Sequence, residues 1–415
     1  MSRVIIVGGG IGGLAAALAV ADRGHRVVVL ERRSEFTELG AGIQLAPNAF
    51  LALDRLGVAA AVLDRAVQVD ALRLMDAVTG EQVAAMPVRG EYRARFGNPY
   101  AVVHRNDLYA PLLARCREHD GVELRVDSPV VGYEQDGDGA AAVLADGGRV
   151  RGTAVIGADG LRSAVRAQLV GDGEPRVSGH TIYRSVIPMG SVPVELRSDS
   201  VTLWAGPRWH FVHYPIDGGR SLNVAITRDN GATEAVVGVP VPGERVLAEF
   251  ADAAPVIRAL LALGRDWRSW VLCDRDPTDR WSDGRVVLLG DAAHPMLQYA
   301  AQGACMALED AVHLGDLLAD ADPDADPTGA FAAFAEDRRD RTAGAQVVAR
   351  ALGTRLYHLE GAEAERRNAM LGGLSVEQLY EKVSWLHGAT RFGSAAGVPE
   401  GLAPPRSRRV EAATG

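Results

Sequence analysis

Three glycines near the start of the chain have the spacing of a nucleotide-binding turn. Gly8, Gly10 and Gly13 directly follow an apolar, β-branched run at residues 3–7, and an alanine-rich segment comes after them. In such a turn the first glycine permits a tight bend, the second lets the backbone approach a pyrophosphate, and the third allows close helix–strand packing. Backbone amides at the start of the next helix would bind the phosphates.

An acidic residue follows the second apolar run at the position expected for a ribose contact. Residues 26–30 form that run, and Glu31 and Arg32 come directly after it. A strand, a glycine turn, a helix, a strand and a terminal acid together predict an ADP-binding site. This motif does not separate NAD from FAD, so an NAD-dependent dehydrogenase without flavin remains an alternative. The chain has only one such fingerprint, which favours transient docking of any nicotinamide cofactor.

A later segment combines a histidine and a tyrosine with the alternation of a strand. Period-two alternation places His210, Val212 and Tyr214 on one face and residues 209, 211 and 213 on the other. His210 and Tyr214 would lie roughly 13 Å apart, far enough to contact opposite ends of a small aromatic ring. Histidine is suited to removing a phenolic proton near neutral pH. The alternative is a core pair whose polar atoms bond the backbone.

The composition narrows the classes of function. The 415 residues carry a formal net charge of −9, which argues against a nucleic-acid footprint. The three cysteines are widely spaced and predict neither a disulfide framework nor a metal site. No apolar run approaches the roughly 18 residues that span a bilayer. Because the glycine motif begins at Gly8, we expect no signal peptide and a cytoplasmic protein.

Three further segments resemble those of class A FAD-dependent aromatic hydroxylases, the p-hydroxybenzoate hydroxylase fold. They are residues 104–108 (His-Arg-Asn-Asp-Leu), 155–166, which contain the Asp159-Gly pair, and 284–295, which contain the Gly-Asp291 pair. Asn106 or Asp107 is the expected N-cap of the helix that begins near the first segment. With the glycine turn, these motifs extend over most of the chain.

The resemblance implies a fold and a set of cofactor residues. It implies an α/β fold in which a Rossmann-like, parallel-sheet FAD-binding domain is interleaved with an antiparallel-sheet substrate domain and followed by a helical C-terminal segment. The expected ranges are 1–71, 99–178 and 270–350 for FAD, 72–98 and 179–269 for substrate, 351–396 for the helices and 397–415 for a loose tail. Non-covalent FAD would contact the residues Gly8, Gly10, Gly13, Glu31, Arg32, Gln44, Arg105, Asp159, Asp291, Gly303 and Ala304.

Within that family, three segments resemble the 3-hydroxybenzoate 6-hydroxylase and salicylate hydroxylase group. They are residues 206–215, 294–303 and 356–361. The resemblance implies that NADH or NADPH and dioxygen act through a flavin C4a-hydroperoxide to hydroxylate a small phenolic acid, with 3-hydroxybenzoate converted to gentisate as the favoured reaction. His210 and Gln298 would face the reacting ring and phenol, and Tyr214 would help to hold the carboxylate. A homodimer is compatible with this interpretation.

Several alternatives remain open from the sequence. Salicylate 1-hydroxylation on the same fold is the nearest alternative, and a non-catalytic flavin-binding or sensor protein is an alternative of a different class. A flavin-dependent halogenase is disfavoured, because such enzymes use a lysine near the substrate and the single lysine, Lys382, lies in the C-terminal segment. The segment at 301–303 reads Ala-Gln-Gly where many members have Gly-Gln-Gly, and Cys305 stands where they often have asparagine.

Overall fold

A computed structural model describes residues 2–38, 40, 42–319, 326–389 and 392. The α-helices are α1 (Ile11–Ala21), α2 (Pro47–Arg55), α3 (Ala59–Arg65), α4 (Glu91–Phe96), α5 (Arg105–Glu118), α6 (Ala164–Leu169), α7 (Gly243–Glu249), α8 (Pro255–Leu263), α9 (Gly303–Ala319), α10 (Thr328–Leu352), α11 (Gly361–Gly372) and α12 (Val376–His387). The strands are β1 (Arg3–Val7), β2 (Arg26–Leu30), β3 (Gly42–Leu45), β4 (Val67–Gln68), β5 (Ala71–Asp76), β6 (Gln82–Pro87), β7 (Ala101–His104), β8 (Val122–Arg125), β9 (Val130–Gln135), β10 (Ala140–Leu144), β11 (Arg149–Gly152), β12 (Ala154–Gly157), β13 (Arg176–Pro188), β14 (Ser200–Gly206), β15 (Trp209–Ile216), β16 (Ser221–Ala232), β17 (Val239–Pro240), β18 (Arg268–Asp274), β19 (Ser282–Asp283) and β20 (Val286–Leu288).

A six-stranded sheet carries the glycine turn. Its order is β19-β20-β12-β1-β2-β8, and every neighbouring pair except β19–β20 is parallel. Apolar side chains of β1, β2 and β12 are buried, as they are in parallel strands covered by helices on both faces. Helices α1 and α9 contribute to the same core cluster. The predicted buried parallel strands are therefore confirmed.

The second large sheet has eight strands and is almost entirely antiparallel. Its order is β17-β18-β13-β16-β15-β14-β5-β6, and only the β14–β5 pair is parallel. Strands β5 and β6 come from a segment far from the other strands in sequence, so the antiparallel sheet is assembled from two separate parts of the chain. The predicted α/β fold class is confirmed. The domain boundaries stated above remain a prediction.

The two faces of the antiparallel sheet have different neighbours. Trp209 and Phe211 of β15 pack in a core cluster that includes residues of α7 and α8. Tyr214 belongs instead to the large core cluster of the parallel sheet, and Val212 packs against that cluster. The predicted alternation of β15 is thus present, and the face with even-numbered residues points toward the nucleotide-binding side of the molecule.

The C-terminal region is helical. A π-helical turn at Gly353–Tyr357 follows α10, and α11 and α12 come after it. The predicted loose tail at 397–415 lies outside the described residues. None of the described helices is long and apolar enough to cross a membrane.

The predicted N-cap of α5 is wrong. The helix begins at Arg105, directly after β7, and its N-cap is His104, whose Nδ1 accepts a hydrogen bond from Asn106 N–H at 3.2 Å. Asn106 and Asp107 therefore lie inside the first turn. The physical reason is that β7 runs straight into the helix, which leaves no loop residue for a conventional cap.

Candidate active site

The glycine turn forms an open cradle at the N-terminus of α1. Gly8 has a φ of +106°, a conformation that L side chains rarely adopt. A Cβ on Gly13 would lie 1.9 Å from the carbonyl oxygen of Gly8, so only glycine fits there. A Cβ on Gly10, in contrast, would meet no protein atom within 4 Å. Gly10 therefore faces open space, where the helix amides are available to a ligand.

Glu31 is held beside this turn. Its Oε2 accepts a hydrogen bond from Gly9 N–H and its Oε1 accepts one from Arg33 N–H, both at 3.0 Å. Arg32 is exposed next to it. The hydroxyl of Tyr109 in α5 donates to Gly9 O at 2.9 Å and fixes the turn from behind. Tyr109 carries no motif signal, and sequence reasoning did not identify it.

Arg105 and Gln44 line the approach to the same region. Arg105 is half-buried at the start of α5, with its Nε 2.5 Å from Glu38 Oε1. Gln44 lies in β3, which pairs with β7, and its Oε1 accepts a hydrogen bond from Tyr100 at 2.6 Å. The antiparallel β3–β7 pairing thus brings the two predicted residues to one edge.

Asp159 follows the carboxyl end of β12. Its carboxylate accepts hydrogen bonds from the Ser163 hydroxyl at 2.5 Å and from Ala164 N–H at 2.7 Å. Burial raises the pKa of this carboxyl above its ordinary value, although these hydrogen bonds act in the opposite direction. The contacts within the chain are those of a residue that caps α6, so a cofactor role for Asp159 remains a proposal.

Asp291 and the start of α9 lie together. Asp291 is exposed in the 3₁₀ turn Gly290–Ala292 that follows β20. A Cβ on Gly303 would lie 3.8 Å from Asp291 Oδ1, and Gly303 and Ala304 are half-buried at the first turn of α9. The structure therefore brings a carboxylate at a strand end close to the first amides of a helix, and a cofactor role for these predicted residues remains a proposal.

A buried network of charged side chains holds the turn after β20 against α9 and α10. Asp310 of α9 accepts hydrogen bonds from Gly290 N–H at 3.1 Å and from Arg338 Nε at 2.7 Å, and its Oδ2 lies 2.5 Å from His294 Nε2. Burial alone would raise the pKa of Asp310, but the charges of His294 and Arg338 lower it to about 2. Glu309 pairs with the same Arg338 at 2.7 Å. Sequence reasoning did not identify this network.

Arg166 supports the Asp291 turn from a different side. Its fully buried guanidinium donates from Nη1 to Ala292 O at 3.0 Å and to Ala293 O at 2.6 Å. The other nitrogens bind Asp172. Because Arg166 stands in the segment that contains Asp159, a basic residue at that point was visible in the sequence, but its target was not.

One face of the antiparallel sheet carries a row of partly exposed side chains that points toward this region, and we call this row the floor of the cleft. Strand pairing places Leu203, Val212, Ala225 and Arg184 in one row across β14, β15, β16 and β13. All four are partly exposed, although the strands around them are largely buried. Side chains paired across a sheet share a face. This row therefore lines a cleft between the sheet and the nucleotide-binding side.

The predicted substrate residues lie at the two ends of that floor. His210 is two residues before Val212 and Tyr214 is two residues after it on the same face, and both are buried. Tyr214 approaches β3, since a Cβ on Gly42 would lie 2.5 Å from its ring. Gln298 reaches the middle of the floor and accepts a hydrogen bond from Arg184 Nη2. The structure thus brings together all three predicted residues around one cleft.

Arg184 is a residue that sequence reasoning missed. Its Nε is buried without a hydrogen-bond partner, and the guanidinium forms no ion pair with any described residue. Its CZ atom lies 5.7 Å from the centroid of the Trp270 ring. Burial lowers the pKa of this guanidinium, while Tyr214 raises it. A cation with no acidic partner beside a cleft is a candidate for binding an anionic group.

Three histidines cluster at the His210 end of the cleft. His210 Nδ1 lies 2.8 Å from His358 Nε2, and the two rings are stacked with centroids 5.0 Å apart. His180 Nδ1 lies 2.6 Å from the Tyr299 hydroxyl. One nitrogen or oxygen atom of each of His180, Asp229 and His358 lies within 4.8 Å of the other two. Such atoms are of the kind that can bind a metal ion, and the sequence did not predict this cluster. The prediction of no metal therefore remains a prediction.

The cofactor residues fit FAD by their own geometry. Three features lie where an extended dinucleotide needs donors and acceptors. They are the open space at Gly10, the carboxylate of Glu31 beside it, and the start of α9 next to Asp291. All three features follow strands of the parallel sheet or lie at the start of α1 or α9. His210 and Tyr214 of the antiparallel sheet lie on the face of β15 that points toward them.

Comparison with known proteins agrees with this geometry. The profile of the FAD binding domain family matches residues 1–351. Over 387 residues the chain is 46% identical to 3-hydroxybenzoate 6-hydroxylase 1 of Aquipseudomonas alcaligenes, which covers 93% of this chain and 98% of that protein.

Two solved structures have the same fold. The crystal structure of Klebsiella pneumoniae HpxO complexed with FAD and uric acid is 25% identical, with a TM-score of 0.80 over 92% of this chain and 95% of the other. A salicylate hydroxylase substrate complex is 24% identical, with a TM-score of 0.78 over 94% of this chain and 95% of that one. The latter likeness concerns the fold alone. The chain belongs to the FAD-binding-domain family, as an FAD-dependent monooxygenase of the aromatic hydroxylase type.

Proposed function

We propose that the protein hydroxylates 3-hydroxybenzoate at the ring carbon para to its hydroxyl group, which gives gentisate, with NAD(P)H and dioxygen as co-substrates. The observation that carries the proposal is the 46% identity, over 93% of the chain, to a relative named for this reaction. The cleft adds independent support, because it has a histidine at one end, a tyrosine at the other and an arginine in the row between them.

The cofactor would be held from several elements. Gly8, Gly10 and Gly13 would admit the pyrophosphate at α1, Glu31 would bind the ribose, and Arg105, Asp291 and the first amides of α9 would contact the remainder, together with Arg32, Gln44, Asp159, Gly303 and Ala304. When bound, FAD accepts reducing equivalents from NAD(P)H and activates dioxygen. The chain itself contributes binding, orientation and proton transfer.

His210 is the proposed base for the substrate hydroxyl. Burial lowers its pKa well below 6.5, and the neighbouring His358 and His180 act in the same direction. The ring is therefore neutral at physiological pH and can accept a proton at Nε2, which has no hydrogen-bond partner among the described residues. Withdrawing the phenolic proton increases the electron density at the para carbon. Gln298 lies on the same cleft and would orient the ring.

Arg184 and Tyr214 are the proposed binding groups for the carboxylate. With a net charge of −9, the protein offers no general attraction to an anion, so a local cation must supply it. Arg184 is offset from His210 by two residues along the strand direction, roughly 7 Å, and by two strands across the sheet, roughly 10 Å, a gap that the long arginine side chain can partly cross. That spacing suits a substrate whose hydroxyl and carboxylate are separated around a ring. Salicylate carries them on adjacent carbons, so it cannot reach both rows equally well.

A panel of hydroxybenzoates tests the proposal. Purified protein should show an oxidised-flavin spectrum, and 3-hydroxybenzoate should stimulate NADH or NADPH oxidation more than salicylate or 4-hydroxybenzoate does. Catechol formed from salicylate as the main product would support the alternative reaction. No stimulation by any member of the panel would favour a non-catalytic flavin protein.

We also place the reaction in the cytoplasm. The three cysteines are all unpaired, which suits a reducing compartment, and the reductant NAD(P)H is an intracellular cofactor. A homodimer remains a prediction.

A further inference from the structure

His210 is enclosed, so a proton that it receives needs a route out. The side chain is 2% exposed. Its Nδ1 has one hydrogen-bond partner among the described residues, His358 Nε2 at 2.8 Å. Tyr299 and Tyr357 cover the ring from the sides, with centroids 4.9 Å and 5.2 Å away. A buried imidazolium without an acidic partner is unfavourable, so His210 is poorly suited to storing the proton.

His358 contacts this base and lies close to a partly exposed carboxylate. It directly follows the π-helical turn Gly353–Tyr357, and its Nδ1 has no hydrogen-bond partner among the residues that the structure describes. Nitrogen and oxygen atoms of His358, Asp229 and His180 lie within 4.8 Å of one another. The Asp229 side chain is 34% exposed and therefore contacts solvent.

We propose that His358 and Asp229 form the proton outlet of the active site, a role that rests on the proposed function of His210 as the base for a phenol. The phenolic O–H bond breaks as its proton moves to His210 Nε2. The proton on His210 Nδ1 passes to His358 Nε2, and the proton on His358 Nδ1 passes to the Asp229 carboxylate, directly or through one water, and then to solvent. One proton leaves the substrate and one reaches bulk water, so no charge accumulates on either ring.

The surrounding charges are compatible with such an outlet. Burial and the neighbouring His180 lower the pKa of His358 to about 4, with Arg208 acting in the same direction and Asp229 in the opposite one. His180, from β13, is occupied by the Tyr299 hydroxyl and is not bonded to His210. The charged and titratable groups around His358 are thus His180, His210, Tyr299, Asp229 and Arg208, whose Nη2 lies 3.4 Å from Asp229 Oδ1.

The matched variants are His358→Gln and His180→Gln. Glutamine preserves size and can accept a hydrogen bond from His210, but it cannot pass a proton from one ring nitrogen to another. His180 belongs to the same buried cluster, yet it bonds Tyr299, so its replacement controls for disturbed packing. A third variant, His358→Ala, leaves space for added imidazole.

Rapid mixing of the oxidised holoenzyme with a nitro-substituted 3-hydroxybenzoate, whose phenolate absorbs in the visible, gives the readout. A pH indicator in weakly buffered solution records proton release at the same time. We expect both signals to rise together in the wild type and in His180→Gln, and to slow at least tenfold in His358→Gln, while the ligand Kd changes less than threefold. Imidazole should restore the rate of His358→Ala in proportion to its concentration.

Three results would overturn the outlet: wild-type proton release in His358→Gln, equal slowing in both glutamine variants, or no response of His358→Ala to imidazole. Loss of proton release in EDTA and its return with Zn²⁺ would also overturn it, in favour of a metal centre. Because no turnover is needed, the proton measurement stands apart from the hydroxylation assay. A wild-type protein that releases protons but does not hydroxylate 3-hydroxybenzoate would contradict the proposed function and not the outlet.

Discussion

At the residue scale, the cleft is defined by side chains two positions apart along β15 and by side chains paired with them on the neighbouring strands. The alternation of β15 was readable from its sequence, and it placed His210 and Tyr214 on one face. Arg184 was not readable as a partner, because its position in the same row as Val212, with Ala225 between them, depends on the register of β13 with β16 and of β16 with β15. Register is a tertiary property that a single strand does not specify.

Replacing Arg184 should affect acids selectively. Arg184→Met should raise KM for 3-hydroxybenzoate by roughly 10- to 100-fold, because a hydrogen bond to a charged group contributes about 1.5–3 kcal/mol. KM for the neutral 3-hydroxybenzamide should change little. Arg268→Met is the control, since Arg268 pairs in register with Arg184 but is exposed. Equal losses for the acid and the amide would contradict the assignment of Arg184.

The pH dependence of kcat tests the base. Because burial holds the pKa of His210 well below 6.5, its neutral form persists in mildly acidic solution. We expect the acid limb of the kcat profile, recorded at saturating substrate, to lie below pH 6.5, and His210→Gln to lower kcat by about 10²–10⁴-fold. Wild-type kcat in His210→Gln, with tight coupling to NADH use, would rule the base out.

At the element scale, the start of α9 and the turn after β20 depend on charges that lie beneath them. The buried pairing of Glu309 and Asp310 with Arg338 of α10 was not readable from the sequence, because acidic residues in a helix usually face solvent. The same limit applied to α5, whose cap depends on how β7 enters the helix.

Asp310→Asn should destabilise the protein strongly. Removing one partner of a buried ion pair costs about 3–5 kcal/mol, which denaturant unfolding would measure. Asp316→Asn on the same helix is the control, since its partners Arg23 and Arg55 are partly exposed and such pairs contribute about 0–1 kcal/mol. The folded pKa of Asp310 is about 2, below its ordinary 3.8. The stabilisation is therefore complete above about pH 4 and is lost as the pH falls toward 2. Similar losses in both variants would contradict this account.

The glycine turn permits a matched pair of substitutions. In Gly13→Ala the new Cβ would lie 1.9 Å from Gly8 O, so we expect a damaged fold together with lost FAD. In Gly10→Ala the Cβ meets no protein atom within 4 Å, and its φ of −77° suits alanine. This variant should keep its thermal stability without cofactor but bind FAD more weakly, as flavin fluorescence titration would show. Unchanged FAD affinity in Gly10→Ala would argue against a pyrophosphate at this turn.

At the scale of the whole molecule, the antiparallel sheet faces segments of the nucleotide-binding side across one cleft, and both are assembled from interleaved parts of the chain. The glycine turn and the resemblance to class A aromatic hydroxylases were together sufficient to predict the parallel sheet, the inserted antiparallel sheet and the cofactor class. It was not sufficient to predict which polar groups meet between the sheets, since Arg184, Asp229 and His358 come from distant segments. Their proximity is a consequence of how the sheets and the C-terminal turn pack.

The overall charge predicts the response to salt. A net charge of −9 repels an anionic substrate at long range, and added salt screens that repulsion. We expect kcat/KM for 3-hydroxybenzoate to stay level or rise between low and physiological ionic strength. A steep fall over that interval would indicate a long-range positive field around the cleft and would contradict the view that Arg184 acts locally.

The most direct test of the central proposal is product analysis under labelled dioxygen. Holoenzyme supplied with NADH, ¹⁸O₂ and 3-hydroxybenzoate should form gentisate that carries one labelled oxygen at the carbon para to the original hydroxyl, with one NADH consumed per product. Unlabelled gentisate, a different regioisomer, or NADH consumption without an organic product would contradict the account.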